Sequence, residues 1–157
     1  MSFEGRPNVS SDLVWEIARN QNSFLVKRNS GGGSQFSRDP RNLTNKNSRK
    51  HAGFANTKAI GVQASEEGGV TLTSKKADNA HQPGQNVTTT TFGPNTGNRK
   101  IYKAVANRAA KNGYRADLRP EAVSRASAIR QSQRPKKDTP ENKPRGSKAK
   151  KAAEESA

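Results

Sequence analysis

The apolar residues of this chain fall into a few short runs separated by long polar stretches, and each run has its own period. The densest is residues 12–28 (DLVWEIARNQNSFLVKR), which holds the one tryptophan, Trp15, with Leu13, Val14, Ile17, Phe24, Leu25 and Val26. Leu13 and Ile17 stand four apart, Val14 and Trp15 widen the apolar side, and Ser10, Ser11 and Asp12 offer capping oxygens, so residues 12–21 are predicted as a short helix ended by Asn20, Gln21 and Asn22. Residues 23–28 (SFLVKR) then alternate as a strand, with Phe24 and Val26 on one face and Leu25 and Lys27 on the other. So dense a segment is the expected centre of the core, and it runs directly into a cationic edge at Lys27 and Arg28. Residues 30–34 (SGGGS) read as a flexible turn, after which Gln35, Phe36 and Ser37 can pair back as a short strand. A phosphate-binding loop would need Gly-Lys-Ser/Thr leading into a helix, and none follows.

Residues 39–56 (DPRNLTNKNSRKHAGFAN) carry only Leu43 and Phe54 as large apolar anchors. Their composition predicts a long surface loop with a binding role, because loops of this length are uncommon otherwise and Arg, Lys, Asn and Ser all reach phosphate and sugar. A hairpin follows. Ile60 and Val62 alternate in residues 58–64, Val70 and Leu72 alternate in 70–76, and Glu66-Glu67-Gly68-Gly69 lies in the turn between them. Residues 77–86 carry turn residues without a pattern, and residues 87–92 (VTTTTF) have the β-branched composition of one more strand.

Beyond the break at residues 93–97 the period changes from two to nearly four. Ile101, Val105 and Ala109 make one stripe with Tyr102 and Ala106 beside it, while Lys100, Lys103, Arg108 and Lys111 lie mostly outside it; Asn112-Gly113 ends this helix. Pro120 and Glu121 open a second helix in residues 118–133, whose narrow seam of Leu118, Ala122, Ala126 and Ile129 is largely alanine and suits close packing. The pattern therefore predicts an α+β domain over residues 12–134, made of an N-terminal helix, short antiparallel β hairpins and two C-terminal helices. Residues 1–11 read as an extension. Residues 135–157 have no large apolar side chain and read as a basic disordered tail.

Composition and charge turn this fold toward a polyanion. Only 29% of the 157 residues are hydrophobic, and 29 Lys and Arg against 13 Asp and Glu give a formal charge of +16. Residues 99–157 hold 17 of the basic and 6 of the acidic residues. Such an excess attracts nucleic acid. A membrane surface is a poorer match, since no basic segment also carries a broad apolar face. No window has the apolar length of a transmembrane helix, and residues 2–11 lack the apolar region of a secretory signal, so a cytosolic or nuclear protein is expected. The absence of cysteine agrees with this and removes disulfides and thiolate-bound zinc together.

Enzyme chemistry leaves no trace: there is no cysteine nucleophile, the acidic residues are scattered, and His51 and His81 sit in polar loops without metal-ligand spacing. No catalytic residue, metal, cofactor or small-molecule substrate is predicted, and both histidines read as solvated or RNA-facing. An aromatic content of 5% leaves little for stacking on single-stranded bases. No zinc-finger or zipper pattern suits sequence-specific DNA binding either. What remains is a binder of folded RNA that acts through backbone and shape.

Three segments carry a resemblance: residues 13–29 (LVWEIARNQNSFLVKRN), residues 40–54 (PRNLTNKNSRKHAGF) followed by 58–62 (KAIGV), and residues 114–135 (YRADLRPEAVSRASAIRQSQRP). In order and spacing they closely resemble the eukaryote-specific large-subunit ribosomal protein family designated number twenty-eight, which is unrelated to the bacterial family sharing that number. The match runs from residue 12 to about residue 135 and departs from the pattern at SGGGS and in residues 77–98. The resemblance implies a structural, peripheral component of the cytoplasmic large ribosomal subunit that lies on ribosomal RNA beside other ribosomal proteins and is assembled in the nucleolus. With the loop composition, it makes Lys27, Arg28, Arg41, Asn42, Asn47, Arg49, Lys50 and Lys58 one candidate RNA-binding patch. Arg99, Lys100, Lys103, Arg108, Lys111, Arg115, Arg119, Arg125, Arg130 and Arg134 form a second along the two C-terminal helices. Removing charge at Arg125 and Arg130 is expected to weaken RNA binding without unfolding the domain. The N-terminal pattern is also similar to a nuclear assembly factor for the large subunit. That family places cysteines around these elements and continues into an acidic region, whereas this chain has no cysteine and a basic C-terminus. A third reading, a DNA- or chromatin-binding protein, rests on the Lys/Ala-rich KAKKAA near the end.

Overall fold

The structure is a computed structural model and describes residues 9–30, 32–77, 79, 82, 84–136, 145–147 and 151. The extension expected at residues 1–11, the tail expected at 135–157 and the role given to His81 lie largely or wholly outside the described residues. The elements follow in the order α1 (Ser11–Ala18), β1 (Leu25–Lys27), β2 (Gln35–Ser37), β3 (Ile60–Ala64), β4 (Val70–Lys75), β5 (Val87–Phe92), α2 (Asn98–Ala110) and α3 (Arg119–Ser132). The predicted α+β class and its elements are therefore present. β1 and β2 make a two-stranded antiparallel sheet that pairs Val26 with Phe36, and β3-β4-β5 make an antiparallel meander that pairs Val62 with Leu72 and Leu72 with Thr90. Among the described residues no helix is long and apolar enough to cross a membrane.

The main core lies between the meander and the two long helices. Ile60 and Val62 of β3, Val70 and Leu72 of β4, Ile101, Val105 and Ala109 of α2, and Leu118, Ala122 and Ala126 at α3 are all buried there together with Leu43. Each fully buried Ile or Val contributes about 1.5–3 kcal/mol of apolar burial. The alanine seam has the consequence its composition implied: with only methyl groups at positions 122 and 126, α3 lies close against both α2 and β3. At the far end of α3, Gln133 accepts from the Gly69 N–H (3.1 Å) and donates to the Gly69 carbonyl (2.6 Å), and Arg130 donates to Asn98 Oδ1, Gln133 Oε1 and the Pro94 carbonyl. The helix end is thereby tied to the β3–β4 turn and to the connection between β5 and α2.

Two expectations are corrected. Residues 12–28 are not the centre of the core: Trp15 is buried in a small satellite cluster with Ala52 and Ala55, flanked by Val14 and Phe54, while Leu13 is 49% and Ile17 72% exposed. An eight-residue helix turned toward the domain by its tryptophan leaves residues two positions away on its outer side, and nothing among the described residues covers them. Phe54 does act as an anchor, with ring centroids 6.2 Å from Trp15 and 6.4 Å from Phe24. Nor is the stretch at residues 38–58 a loose surface loop. Asp39, Asn42, Leu43, Ala52, Gly53 and Ala55 are buried in it. It lies flat against edge strand β3, where a β-carbon on Gly61 would come within 2.5 Å of the Pro40 carbonyl oxygen and of Thr73 Oγ1. Glycine at 61 is what permits that approach. The chain then carries Leu43 round to the helix side of the sheet, into the main core.

Candidate nucleic-acid interface

The polar residues of the 38–58 segment serve the fold first. Asp39, 1% exposed, accepts from the Arg41 N–H at Oδ1 (2.9 Å) and from the Phe54 N–H at Oδ2 (2.8 Å), which closes the segment on itself. Asn42, also 1% exposed, donates to the Lys46 carbonyl (2.8 Å) and accepts from the Thr44 N–H (3.1 Å). Its place in the candidate patch is therefore corrected: both ends of its amide are used inside the protein. Asn47 donates to the Arg19 carbonyl and to Gln35 Oε1, bracing the segment against the end of α1 and the start of β2. Arg49 donates to Asp12 Oδ1 (2.7 Å), to Ser11 Oγ and to Asn56, and so pins the first turn of α1. Lys50 pairs with Glu121 at 2.8 Å. Lys75, buried on β4, donates to the Asn56 carbonyl at 2.9 Å and the Phe54 carbonyl at 3.3 Å. Arg41 is half-buried, whereas Lys27, Arg28 and Lys58 are exposed. The Arg28 guanidinium lies over the Phe36 ring at 5.6 Å, and Lys58 Nζ is 6.0 Å from the Tyr114 ring centre.

The second patch divides in the same way. Arg125 donates to the Val62 carbonyl (2.8 Å), the Leu43 carbonyl (3.0 Å) and Asn45 Oδ1 (3.1 Å), joining α3, β3 and the 38–58 segment. Arg115 donates to the Lys58 and Lys50 carbonyls and pairs with Asp117 at 2.8 Å. Arg108 donates twice to Ser74 Oγ and lies over Tyr114. Together with Arg130, these guanidiniums are spent largely on internal acceptors, as suits a group with several donors in a rigid fork. Arg99, Lys100, Lys103, Lys111, Arg119 and Arg134 are exposed.

Some of the cations line two concavities. Arg99 and Lys103 of α2 face Arg119 of α3 across a groove of about 900 Å³, whose floor includes Tyr102, Ala106 and Val123. Lys58, Arg108 and Lys111 line a recess of about 510 Å³ between the meander and the end of α2. Sequence periodicity placed the cations outside the apolar stripes but could not show which of them would meet. Asp39, Lys75 and Tyr114 were missed altogether as organising residues. The only sequence signal for the first is the turn-forming Asp39-Pro40 pair.

Where the 38–58 segment meets α3, Ser48 Oγ lies 2.8 Å from His51 Nδ1, and His51 Nε2 lies 3.8 Å from Glu121 Oε1. Burial, followed by the charge of Lys50, lowers the His51 pKa below its ordinary 6.5. Hydrogen bonds from Lys50 and Arg115 hold the Glu121 and Asp117 carboxyls below their usual values. In each case the unfolded chain takes up the proton at a higher pH than the folded one, so acid favours unfolding. The melting temperature is expected to fall as pH drops from 7 below 6.5, and again through the carboxylate range. His51→Gln should flatten the first part only. A wild-type melting temperature that is level between pH 7 and 5.5 would contradict this.

Residues 13–132, which span nearly the whole described fold, match the Ribosomal L28e protein family. The chain belongs to that family. Three L28e relatives carry the name large ribosomal subunit protein eL28. The one from Schizosaccharomyces pombe is 46% identical over 131 residues, covering 83% of this chain and 97% of that protein. The one from Dictyostelium discoideum is 38% identical over 117 residues, covering 74% and 83%. The one from Caenorhabditis elegans is 36% identical over 125 residues, covering 80% and 91%. The L28e match includes both α2 and α3, so the groove and the recess both lie within the family's own extent.

Proposed function

We propose that the protein is a non-catalytic structural constituent of the cytosolic large ribosomal subunit, assembled in the nucleolus, and that it binds ribosomal RNA through phosphate contacts and shape. Membership of a ribosomal protein family supports the assembly, and the relatives are named for that subunit. The observation that carries the RNA contact is the partition of the cations. Arg115, Arg125 and Arg130 hold the fold, whereas Arg99, Lys100, Lys103, Lys111, Arg119 and Arg134 stay exposed along α2, its C-terminal turn and α3. Such cations displace the counterions of the phosphate backbone, which makes binding steeply dependent on salt. Neighbouring ribosomal proteins are the second class of partner.

Sedimentation tests the assembly. The protein should remain with mature large subunits and polysomes through a salt wash; confinement to nuclear pre-ribosomal particles would replace this reading with the assembly factor. Competition at fixed salt between ribosomal RNA and duplex DNA should favour the RNA, and the reverse order would point to chromatin. Replacing Arg99, Lys103 and Arg119 together by alanine should leave the melting temperature nearly unchanged. It should also lower the slope of log affinity against log salt by about 3. An unchanged slope would remove the α2–α3 groove from the RNA interface.

A further inference from the structure

The recess at the end of α2 has a chemistry that phosphate contacts alone do not use. Three cations, Lys58, Arg108 and Lys111, line it without a carboxylate among the lining residues. Beside them stand two side-chain amides, Asn107 and Asn112, both exposed and neither engaged in a side-chain hydrogen bond among the described residues. Phe92 and Leu72 supply an apolar wall. Tyr114 completes it and is fixed in place: its hydroxyl donates to the Lys75 carbonyl at 2.6 Å, and Arg108, held by Ser74, lies 5.8 Å from its ring centre. Asn112 sits in the left-handed region at φ 58°, ψ 24°, which Asn tolerates and most residues do not. Its amide is thus presented from a tight turn.

From this set we infer that the recess binds a single unpaired nucleotide extruded from folded RNA. This rests on the RNA-binding reading above and deepens it. A nucleotide joins three chemistries in one small body: an anionic phosphate, an apolar base face and a base edge of alternating donors and acceptors. Lys58 and Lys111 match the first, the Phe92 side of the recess matches the second, and Asn107 and Asn112 match the third, because an amide offers a donor and an acceptor side by side. A volume of about 510 Å³ holds one such ligand. An intact RNA duplex keeps its bases paired inward and offers a concave site little but backbone, so an unstacked nucleotide is the form of RNA that can use the amides and the apolar wall. The α2–α3 groove differs in this respect: its cations surround a floor without amide side chains.

The test is a titration of isotope-labelled full-length protein, followed by NMR, with the four 5′-ribonucleoside monophosphates and separately with inorganic phosphate at matched ionic strength. At least one nucleotide should bind saturably about tenfold tighter than phosphate, shifting the Asn107 and Asn112 side-chain amides and the Tyr114 ring. Asn107→Ala with Asn112→Gly should abolish that preference and leave phosphate binding in place; glycine accepts the positive φ at 112, so the turn is kept. Lys111→Ala should weaken nucleotide and phosphate alike. Equal binding of nucleotide and phosphate, or no shift with any of the five probes, would overturn the inference. Filter binding of the same preparation to large-subunit ribosomal RNA separates the two levels. RNA retention with a silent recess defeats only this inference, whereas loss of RNA binding by the wild-type protein defeats the proposed function as well.

Discussion

Asp39→Ala is expected to lower the stability of the domain by about 3 kcal/mol, which would be read as a fall of roughly 10 °C in melting temperature and an earlier denaturant midpoint. The reason is local and buried. Both carboxylate oxygens serve backbone donors, the Arg41 N–H two residues along the chain and the Phe54 N–H fifteen residues along it. Alanine strands both N–H groups in a place from which Asp39, 1% exposed, has already excluded water. Loss of a hydrogen-bonded partner from a buried donor costs more than the bond contributes, because the donor keeps its desolvation penalty. Asp39→Asn keeps one acceptor and turns an NH₂ toward the other donor, so it should fall between wild type and alanine. Gly53 leaves no room for a compensating shift, since a β-carbon there would stand 2.9 Å from Asp39 Oδ2. An Asp39→Ala protein within about 0.5 kcal/mol of wild type would show that the 38–58 segment is held by its apolar anchors alone.

Arg125→Ala is the second large effect, expected at about 2–3 kcal/mol. From composition, Arg125 and Arg130 were expected to give up RNA binding without loss of fold. The hydrogen bonds of Arg125 argue instead for a cost in stability when it is removed. The Arg125 guanidinium donates to two main-chain carbonyls, of Val62 and Leu43, and to the Asn45 side chain, which lies in the left-handed region at φ 56°. Burial lowers its pKa from the usual arginine value, but a guanidinium remains charged at any physiological pH. Arg125→Lys should recover little, because a single ammonium cannot reach the three acceptors in the planar arrangement the guanidinium matches. By contrast Arg119→Ala, one turn and a half earlier on the same helix, should change stability by less than about 0.5 kcal/mol. Urea melts of the three variants decide the point. Equal midpoints for Arg125→Ala and Arg119→Ala would mean that the carbonyls bonded by Arg125 are satisfied by water at no cost.

Read residue by residue, most of the secondary structure was legible in the sequence. Ile60, Val62, Val70 and Leu72 alternate because they share the face of the sheet that is turned to the main core. Ile101, Val105 and Ala109 recur at four because α2 turns one stripe inward, and the alanines of α3 announce a close helix contact. These are properties of neighbouring residues, and local periodicity is enough to reveal them. Family membership was legible for a similar reason, since it lies in the order and spacing of segments along one dimension.

What the sequence could not decide was which polar and apolar groups would find partners distant in the chain. Local density marked Leu13 and Ile17 as core, but none of the described residues covers that side of α1, and both stay exposed. Arg99 and Arg125 look alike as letters on amphipathic helices. One faces a solvent groove, and the other meets a carbonyl 63 residues away. Asn42 and Asn112 are equally polar, yet Asn42 is enclosed by the turn it organises and Asn112 opens into a recess. In every such case the deciding quantity is desolvation. A polar group is structural where the fold removes its water and supplies a partner, and available for RNA where the fold leaves its water in place. Only the tertiary arrangement settles which of these happens, because the partner comes from another part of the chain.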